Sequence, residues 1–487
     1  MTENDYLCTQ INGFTMMIGR EEEQRRLRQA YESDYSEFVV VYGRRRVGKT
    51  FLIRETFNYK FTFQHVGLAR KNTRQQLQNF QMSLRSQGYR RAPLPANWLE
   101  AFDMLAGLIS QSRAKKKLVF IDEMPWMDAP KSSFLSALEH FWNGFASARK
   151  DVLLIVCGSA TSWITRKLLK NKQGLHNRAT CRIHLQPFTL HECERYALQQ
   201  RLGMNRRQLM EGYMIFGGIP YYWSLLDRER SLALNIDRLF FSRDGELRGE
   251  YSELYASLFH HPEKYLSVIE ALCKKKMGLS RAEIVQESRL PENGKLTEVL
   301  EDLESCGFIR RYNHIGMKTK GAIFQLIDCY TLFYSHFIAG NPVNDEHFWS
   351  KNLDTGAYHS WCGLAFERVC LLHSRQIKMK LGVTGVLSSE YAWWITNEDG
   401  KKGVQIDLLI DRSDGVINLC EMKFTKAPYK IDAAADAAMR NKQVRLIEET
   451  RTGKAIHLTL VSAQGIVRNA YSDEVQAVIT GDHLFAE

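Results

Sequence analysis

The pattern of apolar and polar positions divides this 487-residue chain into stretches of different rhythm. Near the start, continuous β-branched runs alternate with turns and amphipathic segments, which predicts buried parallel strands joined by helices. EFVVVYGRRRVGKTFLIRETF, residues 37–57, reads as a strand, a glycine-bounded loop and a helix. In KKKLVFIDEMPWM, Leu118 to Ile121 form a buried strand with Asp122 and Glu123 at its C-terminal end. VLLIVCGSATSWI supplies a third strand, ending in Gly158-Ser159-Ala160.

The middle of the chain switches to helical spacing. Leu266, Ile269 and Leu272 mark one helix, Ser280 caps a second containing Ile284 and Val285, and Leu296, Val299, Leu300 and Leu303 mark a third ended by Gly307. FIRRYNHIGMKTKGAIFQLID then reads as two strands joined by a basic loop. Three helices and a hairpin predict a winged helix, whose third helix can enter a DNA groove. Here that helix carries Glu298, Glu301, Asp302 and Glu304 against Lys295, a poor face for phosphates. The loop with Arg310, Arg311, Lys318 and Lys320 suits them better, so packing or relay is the first expectation and DNA contact the second.

The last third alternates again. A helix around Glu367 precedes three strands, SEYAWWITN, VQIDLLI and VINLCEMKF, separated by polar turns at NEDGKK and DRSDG. A helix, DAAADAAMRNKQVRLIEE, and a strand, AIHLTLVSA, complete the order α-β-β-β-α-β. The fold class expected is α/β multidomain. Its parts are a P-loop parallel-sheet core at 15–190, a helical lid at 191–260, a winged helix at 261–340 and an α/β domain at 345–487.

Composition narrows the setting. Hydrophobic residues at 44% with 25% charged residues are ordinary for a globular protein, and no apolar run is long enough to span a membrane. The N-terminus lacks a basic start followed by an apolar stretch, so cytoplasm is the expected location and no membrane partner is foreseen. Ten scattered cysteines without a CxxC pair argue against a zinc ribbon or a disulfide scaffold. The net charge of +11 suits a nucleic-acid partner without establishing one.

Chemistry enters at GRRRVGKT. Gly43, Gly48, Lys49 and Thr50 match the P-loop pattern between a strand and a helix, so ATP with Mg²⁺ is the expected cofactor. The backbone of Arg44, Arg45, Arg46 and Val47 would wrap the phosphates, Lys49 would reach the β- and γ-phosphates, and Thr50 would hold Mg²⁺. Asp122 would assist Mg²⁺ directly or through water, and Glu123 would polarise the attacking water. Ser159 reads either as a sensor of the γ-phosphate or as a loop-initiating serine.

Glu421 and Lys423 lie two apart on a strand and share a face, and Asp407 on the adjacent strand can join them. Two carboxylates in one corner suit a hard cation, Mg²⁺ or Mn²⁺, and a lysine beside it can stabilise developing phosphate charge. The competing reading is a Glu–Lys ion pair that braces the meander.

Two resemblances add to this. IGRE, GRRRVGKT, FIDEMPW, CGSA, LQPF and GGIPYYW occur in the order found in the archaeal-type ATPases of the AAA+/STAND lineage, over about residues 15 to 260. That likeness implies an AAA+-like core with a helical lid. It also implies a sensor or trans-acting role for Arg178, which otherwise reads as a solvated loop arginine. The last third resembles the PD-(D/E)xK nuclease superfamily, and the uncharacterised C-terminal domain commonly fused to those ATPases. Glu367 matches its first-helix acid, Asp407 the middle acid and Glu421-Met422-Lys423 the E-x-K, while Gln443 fits a further polar position. Ile406 stands where that superfamily often has proline. Together the likenesses imply an ATP-hydrolysing enzyme coupled to metal-dependent cleavage of DNA, in defence or mobile-element maintenance, and allow a homo-oligomer. The alternative is a signalling or scaffold ATPase whose last domain binds partners and cuts nothing.

Overall fold

The computed structural model describes residues 17–169, 177–259, 261–313, 315, 321–339, 345–395 and 403–487. Lys318 and Lys320 of the basic loop, and the NEDGKK turn, lie outside them. The chain forms two compact units: Met1–Pro187 with Ala256–His260, and Phe188–Tyr255 with His261–Glu487.

The first unit is built on five parallel strands: β1 (Glu37–Tyr42), β2 (Phe63–Val66), β3 (Lys117–Asp122), β4 (Val152–Gly158) and β5 (Cys181–His184). Their order is β2-β3-β4-β1-β5, with Val39 opposite both Ile155 and Cys181. β3 and β4 are buried along their whole length, which explains why they read as unbroken apolar runs. One face packs on an aromatic core including Phe80, Trp98, Phe102 and Phe134. Trp98 meets Phe134 edge-on at 4.9 Å. Removing such surface from water is the dominant stabilising term, about 25 cal/mol per Å².

At the edge, β2 exposes its outer backbone, and the Gln87 side chain covers it by accepting from Gln64 N and donating to Gln64 O. This blunts an open sheet edge.

In the second unit the helices Leu190–Gln199 and Arg206–Phe216 begin with Thr189 and Asn205 capping boxes. The LQPF and GGIPYYW motifs meet here, because Phe188 N donates to Gly218 O at 2.6 Å. A Cβ on Gly218 would stand 1.8 Å from Phe188 O, so only glycine permits that approach.

The helices Pro262–Cys273, Arg281–Ser288 and Gly294–Ser305 follow, with a three-stranded sheet ordered β6-β8-β7 from Leu279–Ser280, Ile323–Leu326 and Ile309–Tyr312. One acid of the supposed acidic face is turned inward. Asp302 is buried and accepts from Tyr265 Oη at 2.7 Å, so the third helix is less acidic outside than its sequence reads.

The helix Gly356–Leu372 then leads to a second mixed sheet. Its strands are β9 (Ser388–Ile395), β10 (Val404–Arg412), β11 (Val416–Lys423), β13 (Ala455–Ser462) and β15 (Ala477–Thr480), in the order β15-β13-β11-β10-β9. The short strands β12 (Tyr429–Lys430) and β14 (Ile466–Val467) pair separately. β9, β10 and β11 form an antiparallel meander, and β13 joins β11 in parallel after the crossover helix Ala433–Thr450. Parallel strands require such a crossover, and here the helix covers the sheet with Met439 and Leu446.

Candidate functional sites

The sheet order of the first unit brings the three motifs to one edge. β1 lies between β4 and β5, and β4 lies next to β3, so the loop after β1 and the ends of β3 and β4 converge. Ligands of open α/β sheets bind at such carboxyl ends. Gly43 has φ +149°, and a Cβ there would meet Leu185 O at 2.3 Å; Gly48 has φ +89°. Both positions therefore need glycine for the loop to close around an anion.

Inside the loop, buried Lys49 donates from Nζ to Gly43 O and Arg44 O, each at 2.9 Å, and to Ser159 Oγ at 3.1 Å. Thr50 Oγ1 donates to Asp122 Oδ2 at 2.7 Å. Asp122 Oδ1 accepts from Glu123 N at 2.8 Å and from Cys157 Sγ at 2.6 Å. Ser159 donates to Glu123 from Oγ at 2.6 Å and from N at 3.2 Å. Arg45 reaches Ser257 Oγ at 3.0 Å, which ties the loop to the segment Ala256–His260 of the same unit. Arg44 is buried, while Arg46 adopts φ +69°.

The hydroxyl of Thr50 and the carboxylate of Asp122 are hard oxygen donors already in contact, and they fit Mg²⁺. Glu123 takes the left-handed conformation at φ 45°, a costly geometry that aims its carboxylate at Ser159. Burial pushes that carboxyl above its ordinary range; Lys49 and the Ser159 hydrogen bonds oppose this, and Asp122 adds to it. A proton-accepting Glu123 must be ionised, so turnover should fall as pH drops through its raised pKa. Ser159→Ala removes the hydroxyl bond that favours the anion, leaving the one from Ser159 N, and should shift this acid limb to higher pH, as a pH–rate profile of ATP hydrolysis would show.

Arg178 stands exposed in the turn before β5, at the opposite end of the sheet from the P-loop. The run to Leu185, which touches Gly43, spans about 20 Å at strand rise, so a cis contact with a nucleotide on this loop is out of reach. Arg178 thus stands away from its own loop, as a solvated loop arginine or one that would serve a neighbouring copy.

In the second unit the register Leu408↔Cys420, carried one step outward, sets Asp407 across from Glu421 on neighbouring strands. Asp407 also falls in a register shift between β10 and β9, the kind of bulge that re-aims a side chain. Its Oδ1 accepts from Gln405 Nε2 at 2.5 Å. Glu421 is held from both sides, by Lys423 at 2.9 Å and Lys442 at 2.6 Å. Burial pushes its carboxyl up, but Lys442 and then Lys423 outweigh burial and hold it below the usual range. Lys423 Nζ also lies 5.8 Å over the Tyr429 ring.

Glu367 is buried on its helix, with Oε1 on Lys276 Nζ at 2.8 Å and Oε2 without a hydrogen-bond partner among the described residues. Burial first, and the Asp407 charge second, raise its proton affinity. Asp407 is thus the acid whose charge reaches Glu367. Among the described residues, however, no group of three or more His, Cys, Asp or Glu side chains is close enough to hold a metal ion.

Several members of these sites were not foreseen. Lys442, rather than its neighbour Gln443, reaches Glu421. Lys276 comes from a KKK run that gives no sign of a distant acid, and Cys157 had no signal beyond lying in the apolar run before Gly158.

Among the described residues no helix is long and apolar enough to cross a membrane. Residues 17–226 match the family model for an ATPase domain predominantly from Archaea. The uncharacterised protein MJECL04 of Methanocaldococcus jannaschii is 24% identical over 409 residues, 81% of this chain and 84% of its own length. The Walker-type ATPase PABY2304 of Pyrococcus abyssi aligns with a TM-score of 0.47 at 17% identity, over 67% of this chain and 98% of its own. The ORC2 protein of Aeropyrum pernix, in ADPNP–ADP complexes, aligns with a TM-score of 0.42 at 15% identity, over 68% and 96% respectively. Residues 17–226 thus combine a likeness to that ATPase family with a P-loop geometry that fits ATP and Mg²⁺.

Proposed function

We propose that this chain is an AAA+-like ATPase whose nucleotide cycle licenses a metal-dependent, nuclease-type C-terminal domain acting on DNA in the cytoplasm. In this reading residues 191–260 form the lid, 261–340 a winged helix and 345–487 a restriction-endonuclease-like domain. The observation that carries it is the register setting Asp407 across from Glu421, with Lys423 beside them and Glu367 close enough to feel the Asp407 charge.

At the first site Lys49 leaves its carbonyl contacts for the γ-phosphate, and Glu123 draws the proton from a water aligned with the γ-phosphorus. Thr50 and Asp122 would hold Mg²⁺, which spreads the charge of the β- and γ-phosphates when bound. Arg178 would serve a neighbouring copy in a homo-oligomer.

At the second site the oxygen-only donor pair of Asp407 and Glu421 suits a hard divalent cation, Mg²⁺ or Mn²⁺. Such a cation supplies Lewis-acid stabilisation of a phosphodiester when bound. Lys423 orients the attacking water and stabilises negative charge on the phosphate. Arg311, more than half exposed, and the net charge of +11 favour a polyanionic partner.

The second reading, a scaffold ATPase that cuts nothing, is favoured by one feature. Each oxygen of Glu421 already meets a lysine, as in a structural ion-pair brace. Incubating the full chain with ATP and Mg²⁺ or Mn²⁺ on plasmid, linear and branched DNA separates the two. Cleavage dependent on both ATP and metal is expected; intact DNA throughout would favour the scaffold.

A further inference from the structure

Glu123 keeps its left-handed backbone only while its surroundings forbid relaxation, because φ 45° is strained for any residue with a Cβ. Two glycines make room for the turn that follows it, Met124–Met127. On the β2 side a Cβ at Gly67 would stand 2.6 Å from Glu123 O, and on the β4 side a Cβ at Gly158 would stand 2.5 Å from Pro125 Cδ. Gly67 N donates to Asp122 O at 3.0 Å, which continues the β2–β3 pairing past Val66↔Asp122. Trp126 N donates to Glu123 O at 3.1 Å.

One side chain ties these pieces together. Gln76 is fully buried on the helix Thr73–Ser86, whose start is fixed by an Asn72 capping box. The other buried residues of that helix, Leu77, Phe80 and Leu84, are apolar, so a glutamine among them is unusual and needs its bonds. Its Oε1 accepts from Leu68 N at 3.0 Å, and its Nε2 donates to Leu68 O at 2.6 Å and to Trp126 O at 2.9 Å. Both donor hydrogens and the acceptor of the amide are therefore spent on backbone, in the segment after β2 and the turn after β3. The same Trp126 holds Glu123 O through its amide, and the residue before Leu68 is the glycine packed against that oxygen.

Resting on the reading of Glu123 as the group that takes the water proton, we infer that Gln76 is a positioning residue for ATP hydrolysis. With Gly67 it clamps the Glu123 backbone in its strained conformation and so aims the carboxylate, without touching a reacting atom. A base displaced by about 1 Å can lose about 10²-fold in rate while substrate binding is untouched.

Single-turnover ATP hydrolysis and ATP affinity of the full chain test this in Gln76→Met, Gly67→Ala, Glu123→Gln and the two double variants that combine each clamp substitution with Glu123→Gln. Gln76→Met keeps the length of the side chain and removes all three bonds, whereas Gly67→Ala keeps the bonds and crowds Glu123 O. Each should slow hydrolysis by about 10²-fold and leave ATP affinity unchanged. In the Glu123→Gln background no base remains to be aimed, so neither substitution should slow the residual rate further. If Gln76→Met does not fold, Gly67→Ala and its double variant carry the same comparison. Parental rates in the folded clamp variants, slowing matched by lost ATP affinity, or slowing that persists in full in the Glu123→Gln background overturns the positioning role alone. A parental rate in Glu123→Gln itself overturns the base reading on which that role rests.

Discussion

Glu123→Gln is expected to bind ATP like the parent chain and to hydrolyse it about 10²- to 10⁴-fold more slowly, the usual contribution of a positioned general base. The substitution keeps shape and an acceptor oxygen for Ser159, so the left-handed backbone at Glu123 and the end of β4 should persist. What disappears is the charge that can take a proton from water. Lys49→Ala gives the contrasting result, because Lys49 is the cation buried among Gly43 O, Arg44 O and Ser159 Oγ. Without it, phosphate binding itself should fail, and Glu123 and Asp122 lose the positive charge nearest them. Nucleotide binding by fluorescence and phosphate release by single turnover distinguish the two variants. An unchanged hydrolysis rate in Lys49→Ala would remove the P-loop from the chemistry.

The second large effect concerns DNA. Asp407→Asn and Lys423→Ala should each lower metal-dependent cleavage by about 10²- to 10³-fold, the scale of losing one group that stabilises transition-state charge. Neither should unfold the domain. Asp407→Asn keeps a side-chain oxygen for Gln405, and Lys442 still neutralises Glu421 once Lys423 is gone. Matched thermal midpoints with unequal cleavage would therefore locate the loss in the chemistry. Equal cleavage by wild-type and both variants would assign the activity to some other group.

Much of the first site is legible in the chain because its determinants are local. Gly43, Gly48, Lys49 and Thr50 sit within eight positions, and the apolar runs before them and before Asp122 and Ser159 mark strands without reference to anything distant. The strand order that converges these ends is not local, and only the β4–β1–β5 pairing shows it. Arg178 illustrates the same limit. Its neighbours suggested a sensor, whereas the parallel register of β5 carries it to the far end of the sheet.

The second site is legible in its acids and not in its cations. A strand period of two places Glu421 and Lys423 on one face, and the meander places Asp407 opposite. Lys442 and Lys276 come from a crossover helix and a distant loop, and a lysine in such a stretch looks like any solvated lysine until the tertiary fold brings it to an acid. Asp302 shows the converse, an acid on a surface-like helix that tertiary packing buries on Tyr265.

Whether the last domain works with a metal is decided most directly by the anomalous signal of Mn²⁺ in crystals of the full chain. The proposed function predicts a single peak bonded to oxygens of both Asp407 and Glu421 at about 2.0–2.2 Å, with Lys442 displaced from Glu421. No peak in that corner, and Glu421 still clasped between Lys423 and Lys442, would contradict it and leave an ATPase whose last domain is braced by an ion pair.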